Sequence, residues 1–216
     1  MKNLPAIAEQ IHRDFEARTA ARDRALALSR QLTRYCAHTV RAIHRNKREE
    51  AEALLEQARQ VVQEIRTALA AYPDLFYAGY TQDALKEFAE ASITLALITD
   101  GHLPTPDELG LESATYIRGL AETVGELRRH CLDVLRHGYS VEAERLLGYM
   151  DEIYTVLVTM DYPDAVTGGL RRLTDIARSL LERTRGDLTL TLRQDVLARQ
   201  MKHLEAYLAR GNGEQD

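Results

Sequence analysis

The chain has 216 residues, enough for one domain with a substantial core, and its 45% hydrophobic and 28% charged residues are a globular balance. It contains no run of about 18 apolar residues that could span a membrane, and Met1-Lys2-Asn3-Leu4-Pro5 lacks the apolar core of a secretory signal. The net charge of −5 is uneven: residues 1–48 hold 11 Lys and Arg against 4 Asp and Glu, whereas residues 49–216 hold 17 against 29. That asymmetry leaves open both a polyanionic partner and charge pairing within or between subunits.

Apolar residues recur at intervals of three and four along almost the whole chain, which predicts helices throughout. Leu4, Ile7, Ile11 and Phe15, followed by Leu28, Leu32, Cys36, Val40 and Ile43, predict one very long first helix ending near Arg45. Leu54, Leu55, Val61, Val62, Ile65 and Leu69 mark a second, stopped at Tyr72-Pro73-Asp74. A third is expected over 76–98, followed by a loop from Asp100-Gly101 through Pro104 and Pro106. A fourth is expected over 112–136 and a fifth over 140–160, broken by Asp161-Tyr162-Pro163-Asp164, with Asp164 as the N-cap of the sixth. Gly186 is expected to end the sixth helix and Asp187 to cap a seventh, over 188–208. These elements make an all-α, seven-helix bundle with long N-terminal helices, a single domain over residues 1–210 with a flexible tail at 211–216. A first helix of that length exceeds what one small bundle needs, which suggests packing against another subunit. Cys36 and Cys131 have no CxxC partner, read as buried free thiols, and suit a cytoplasmic protein.

Two groups of residues carry candidate chemistry. At 100° per residue, Arg30, Arg34, Arg41, Arg45 and Arg48 fall on one stripe of the first helix, away from its apolar side. Guanidinium groups so placed suit phosphate oxygens; equally, they suit a solvated face paired with Glu49, Glu50 and Glu52. Only Tyr35 is interleaved with the stripe, so backbone contact rather than base stacking is indicated. In the third helix Asp83, Glu87 and Glu90 share a face, and in the fourth Glu122 and Glu126 are one turn apart. Packed antiparallel with those faces opposed, the two helices would converge four or five carboxylates, a hard-oxygen set for Mg²⁺ or Mn²⁺. Chance spacing among 33 acidic residues is the competing explanation. A di-iron site needs two Glu-x-x-His motifs, and only Glu9 to His12 supplies one. Phosphate-binding loops and nucleophile elbows are absent from the sequence.

Several segments resemble the translin/TRAX superfamily. Glu87-Phe88-Ala89-Glu90-Ala91 resembles the Glu-aromatic-x-Glu-Ala segment of TRAX, the translin-associated factor X, and Glu122-Thr123-Val124-Gly125-Glu126-Leu127 resembles its acid-x-x-Gly-Glu-Leu segment. His44-Arg45 resembles a pair near the end of the family's first long helix, and Arg183 to Leu188 sits where the family enters its last. The similarity spans roughly residues 28–208. It implies a seven-helix fold, assembly into a closed homo-oligomer, an octamer in the family, and RNA held inside. It implies an Mg²⁺-dependent endoribonuclease of the TRAX-like branch, with Glu87, Glu90, Glu122 and Glu126 as catalytic metal ligands. The third of these is commonly aspartate in TRAX. Arg34, Arg41, His44, Arg45 and Arg48 would bind the nucleic acid. The alternative is a non-catalytic, translin-like protein binding RNA or single-stranded DNA.

Overall fold

The computed structural model describes residues 3–212, with side chains through Leu208. Among them are nine helical segments and no strand, an all-α fold as the periodicity requires. Six segments are long: α1 (Leu4–His44), α2 (Arg48–Leu69), α4 (Gly79–Ile98), α6 (Ser113–Leu135), α7 (Val141–Val158) and α9 (Leu170–Asn212). Three are single turns: α3 (Pro73–Phe76), α5 (Pro106–Leu109) and α8 (Asp164–Thr167). No helix of the described residues is long and apolar enough to cross a membrane. The chain divides into two compact units, one of residues to 123 with 162–170, the other of 124–161 with residues from 171.

In the first unit α1 packs along both α2 and α4. Only the second half of α1 is buried, from Ala25 through Leu28, Leu32, Cys36, Ala42 and Ile43. It meets Ala58, Val61, Val62, Ile65 and Leu69 of α2, and the nearly continuous buried run of α4 around Leu85, Phe88 and Ile93. At its end Ala42 and Ile43 pack with Ala51 and Leu95. The first turns of α1 are different: Leu4, Ile7, Ile11 and Phe15 form a helical stripe that is 46–62% exposed.

The turn between α1 and α2 is short because Asn46 adopts a left-handed φ of 56°, a conformation asparagine tolerates better than most residues. α1 therefore stops at His44, and Arg48 opens α2. α5, unforeseen in the sequence, is held by a capping box in which Thr105 and Glu108 satisfy each other's backbone donors. The Glu108 carboxyl is drawn down to about 2, first by the Thr105 backbone bond and then by His102.

α4 and α6 approach closely within this unit. A Cβ on Gly119 would lie 2.6 Å from the Ala89 Cβ and 2.9 Å from the Lys86 carbonyl oxygen. Only a residue without a side chain lets the two helices meet there.

In the second unit α7 is N-capped by Ser140, whose Oγ accepts from the Glu142 amide at 3.1 Å. α8 begins at Asp164 with Pro163 in the cap position, so Asp164 opens that turn instead of capping it; this turn belongs to the first unit. Gly168 and Gly169, with φ of 62° and 85°, make the bend before α9.

The expected break at Gly186 is absent: the sixth and seventh predicted helices are one, α9. A glycine inside a helix costs about 1 kcal/mol relative to alanine, and here tertiary contacts exceed that. Leu181, Thr184 and Leu188 are buried on either side of Gly186. The Arg128 guanidinium donates to Thr184 Oγ1 at 2.8 Å and pairs with Asp187 at 2.9 Å, spanning the glycine. Asp187 is thereby used by Arg128, not as a cap. Gly211 and Asn212 continue α9, and residues 213–216 of the expected tail lie outside the described residues.

These two glycines predict opposite outcomes for the same substitution. Gly186 has open space where a Cβ would stand, so Gly186→Ala should raise unfolding stability in urea by up to about 1 kcal/mol. Destabilisation there would restore the helix break. Gly119→Ala should lower stability by about 1–3 kcal/mol, since the contact with Ala89 has no slack.

Candidate metal centre and nucleic-acid face

α4 and α6 run in the same direction, not antiparallel. Thr115 donates to Gln82 Oε1 at 2.5 Å, Arg118 pairs with Asp83 at 2.8 Å, Gly119 meets Ala89, and Thr123 Oγ1 reaches the Glu90 carbonyl at 3.5 Å. Both residue numbers rise together along these rungs. The connection over 99–112, with α5 inside it, makes this possible. An α4 of about 30 Å needs a long return, and a connection of that many residues reaches more than about 40 Å when extended.

This parallel register gathers the acidic cluster. Glu87 and Glu90 are one turn apart on α4, Glu122 faces them from α6, and one ligand atom from each lies within 4.8 Å of the others. All three are half-buried. Asp83 does not join them; it is exposed and taken by Arg118. Glu126 sits one turn beyond Glu122 on α6, in the second unit, where the Arg129 guanidinium is 3.7 Å from its carboxylate.

Lys86, given no role by the sequence reading, enters the cluster. Its side chain is 11% exposed, its ammonium donates a short hydrogen bond to Glu122 Oε2, and it lies 3.3 Å from Glu87 Oε1. Burial pulls the Lys86 pKa down, but the hydrogen bond and charge of Glu122, then Glu87, more than offset it and leave it above the ordinary lysine value. Lys86 is therefore a fixed cation. The signal was available: it is the single Lys or Arg in α4, whose other charged residues are all acidic. The field of the cluster also reaches Cys36 of α1. Its thiol is pushed far up, first by burial and then by Glu87 and Glu90, so it is inert. Cys131, also buried, is pushed up to about 11 by burial.

The donor set suits a hard divalent cation. Oxygens on opposite sides of Mg²⁺, at about 2.1 Å each, lie about 4.2 Å apart. A spread of 4.8 Å closes to that with small side-chain rotations.

The basic residues fall around the α1–α2 turn. Arg34 and Arg41 are exposed on α1, His44 is the half-buried last residue of that helix, and Arg45 is exposed in the turn. The single stripe expected through Arg48 is interrupted, because the helix ends at His44 and Arg48 belongs to α2. Arg48 pairs with Glu52 at 2.7 Å and Lys47 with Glu50 at 2.8 Å, as the solvated-face reading anticipated. Lys47, and after it Arg45 and His38, hold the Glu50 carboxyl below its usual range. Arg30, Arg34, Arg41 and Arg45 make no ion pair among the described residues, so their guanidinium groups face solvent.

No protein-family model matches the chain. An uncharacterised protein of Methanocaldococcus jannaschii is 32% identical over 193 residues, covering 88% of this chain and 85% of that protein. The solved structure of AfC3PO in complex with duplex RNA superposes with a TM-score of 0.81 at 31% identity, over 88% of this chain and 98% of that one. AfC3PO alone gives 0.81 at 30% identity with the same coverage. Apo-NeC3PO, at 18% identity and a TM-score of 0.76, shares the fold. Together with the all-helical architecture and the 88% coverage of this chain, these likenesses show that the chain belongs to the translin/TRAX superfamily.

Proposed function

We propose that the chain is a TRAX-like, metal-dependent endoribonuclease subunit that binds RNA inside a homo-oligomeric shell. The observation that carries this reading is the convergence of Glu87, Glu90 and Glu122 on one point. It gains weight from the 31% identity to AfC3PO, whose solved complex holds duplex RNA. Glu87, Glu90 and Glu122 are the residues to hold Mg²⁺ or Mn²⁺, and the family resemblance adds Glu126 as a fourth carboxylate. When bound, such a cation supplies a Lewis acid for the phosphodiester and lowers the pKa of attacking water. Arg34, Arg41, His44, Arg45 and Arg48 carry the RNA backbone, with Arg34, Arg41 and Arg45 unpaired and ready for phosphate. The exposed stripe Leu4, Ile7, Ile11 and Phe15 supports contact between subunits, in an octamer by the family resemblance. The chain then folds as one translin-like domain, and a cytoplasmic setting keeps both buried cysteines as thiols.

One observation favours the translin-like alternative, a protein that binds RNA or single-stranded DNA without cleaving it. Lys86 already engages Glu122 and Glu87, so part of the cluster's charge is balanced without any metal.

Cleavage of a labelled single-stranded RNA with Mg²⁺, with Mn²⁺ and with EDTA separates the two. Glu122→Gln and Glu126→Gln should each reduce metal-dependent cleavage by about 100-fold or more while RNA still binds. Unchanged cleavage in either variant removes that residue from the site, and binding without cleavage under every metal establishes the alternative.

Arg41→Glu with Arg45→Glu should weaken RNA binding and make it less salt-dependent. The slope of log K against log[salt] should fall by about 0.7 for each single-strand phosphate that is no longer neutralised. Fluorescence anisotropy across a salt series measures this, and an unchanged slope would take the α1–α2 turn out of the RNA interface.

A further inference from the structure

We propose that Arg118 is a subsite for an RNA phosphate beside the acidic cluster, held by Asp83 until that phosphate arrives. This inference rests on the reading above, that RNA is brought to Glu87, Glu90 and Glu122, and deepens it with a second phosphate contact.

The rungs between α4 and α6 place Arg118 next to the cluster. It stands one turn before Glu122 on α6, and its partner Asp83 stands one turn before Glu87 on α4. One turn is about 5.4 Å, comparable with the step between successive phosphates of a strand. A phosphodiester at the carboxylates therefore brings a neighbouring phosphate to the level of the Asp83–Arg118 rung.

The resting pair is weak. Arg118 Nη2 donates to Asp83 Oδ1 at 2.8 Å, the one hydrogen bond of this guanidinium among the described residues. The Asp83 side chain is 61% exposed, so water competes for it and little net attraction survives. Arg118 Nε is buried and has no hydrogen-bond partner among the described residues, a donor desolvated without compensation. A guanidinium that served only to staple α4 to α6 would set its two-pronged edge on the carboxylate, and here a single prong is engaged. Glu122, well placed for Arg118 at i+4, is taken by Lys86. A phosphate at this rung offers the guanidinium two oxygens at once, in a bidentate, charge-assisted contact. The stem is already fixed. A Cβ on Gly168 would stand 3.3 Å from Arg118 Cδ, and the next residue, Gly119, is pinned against Ala89. Only the head group has to turn from carboxylate to phosphate, so little conformational freedom is lost on binding.

The test is a double-mutant cycle on the full chain with a labelled single-stranded RNA. Affinity is read by fluorescence anisotropy in EDTA, and KM and kcat by cleavage in Mg²⁺. Arg118→Gln should weaken binding and raise KM by about tenfold or more, with kcat little changed, the pattern of lost substrate binding. Arg118→Lys, which keeps the charge without the fork, should fall between wild type and Arg118→Gln. Asp83→Asn should tighten binding, because it removes the competitor of the phosphate, and that gain should be largely lost when Arg118→Gln is also present. Circular-dichroism melts check that each variant folds; where Arg118→Gln does not, Arg118→Lys takes its place in the cycle. An equal gain from Asp83→Asn in both backgrounds overturns the proposal, since the effect is then a general loss of negative charge. Weaker binding by Asp83→Asn overturns it too, because the pair is then a staple that binding needs intact. Unchanged affinity and KM in Arg118→Gln have the same consequence. If wild type binds RNA without cleaving it in Mg²⁺ or Mn²⁺, the nuclease reading falls and the affinities alone decide on Arg118. No RNA binding by wild type overturns both.

Discussion

Everything proposed for the site depends on how closely α4 and α6 approach one another. At Gly119 the two helices are separated by the thickness of one methyl group, that of Ala89. Carboxylates on facing helices at ordinary separations, about 8–10 Å between axes, meet only at the ends of extended side chains. Here the close approach brings Glu122 within ligand distance of Glu87 and Glu90 and lets a single ammonium reach both helices. Around it the rungs Gln82–Thr115, Asp83–Arg118 and Glu90–Thr123 fix the register. A slip of one residue would rotate Glu122 about 100° away from the cluster. The close approach is therefore the constraint from which the chemistry follows, and the glycine is the residue that permits it.

The same logic of local rule against tertiary contact explains what could be read from the sequence. The helices were legible because apolar periodicity is a local property, and α1 ends within a residue of where the pattern fades. Glu87, Glu90 and Glu122 were legible because i, i+3 spacing on a helix fixes a face. The direction of α6 against α4 was not, since it is decided by the path of residues 99–112 and by contacts far apart in sequence. Gly186 misled because its propensity to end helices is worth only about 1 kcal/mol, while Leu181 and Leu188 are buried on either side of it and Arg128 bridges Thr184 and Asp187 across it. The basic stripe failed at Arg48 for a smaller reason: a left-handed Asn46 ends the helix, so angular arithmetic cannot be carried past it. Lys86 escaped notice because it lies among buried apolar neighbours, where the pattern suggests core; only its partners reveal the role.

α1 also shows how one element serves two ends. Its second half is built into the core of the first unit, and its final turn delivers Arg41, His44 and Arg45 to the surface. Its first turns keep the same apolar period with nothing of their own unit buried against them. A monomer gains nothing from exposing Leu4, Ile7, Ile11 and Phe15 in a row, whereas a subunit of a larger assembly does. On the proposed reading, helical periodicity in α1 would serve two different partners, its own unit and a neighbouring subunit.

The charge distribution brings these features together. A polyanion approaching this protein meets an acidic body, and most sharply the cluster of Glu87, Glu90 and Glu122, which alone would repel a phosphate. Under the proposed function, binding would come from the Arg-rich segment of residues 1–48, where Arg34, Arg41 and Arg45 keep their guanidinium groups uncommitted while Arg48 and Lys47 are partly spent on glutamates. For a phosphodiester to come near the carboxylates, their charge must be cancelled locally. Lys86 cancels one unit, because the hydrogen bond and charge of Glu122, and then of Glu87, hold its proton against the opposing effect of burial. On the proposed reading, a divalent cation held by these carboxylates would cancel more of that charge and let a phosphate approach. On this view metal dependence would govern the approach of the RNA to the cluster as well as the chemistry there, while the arginines hold the backbone in either state.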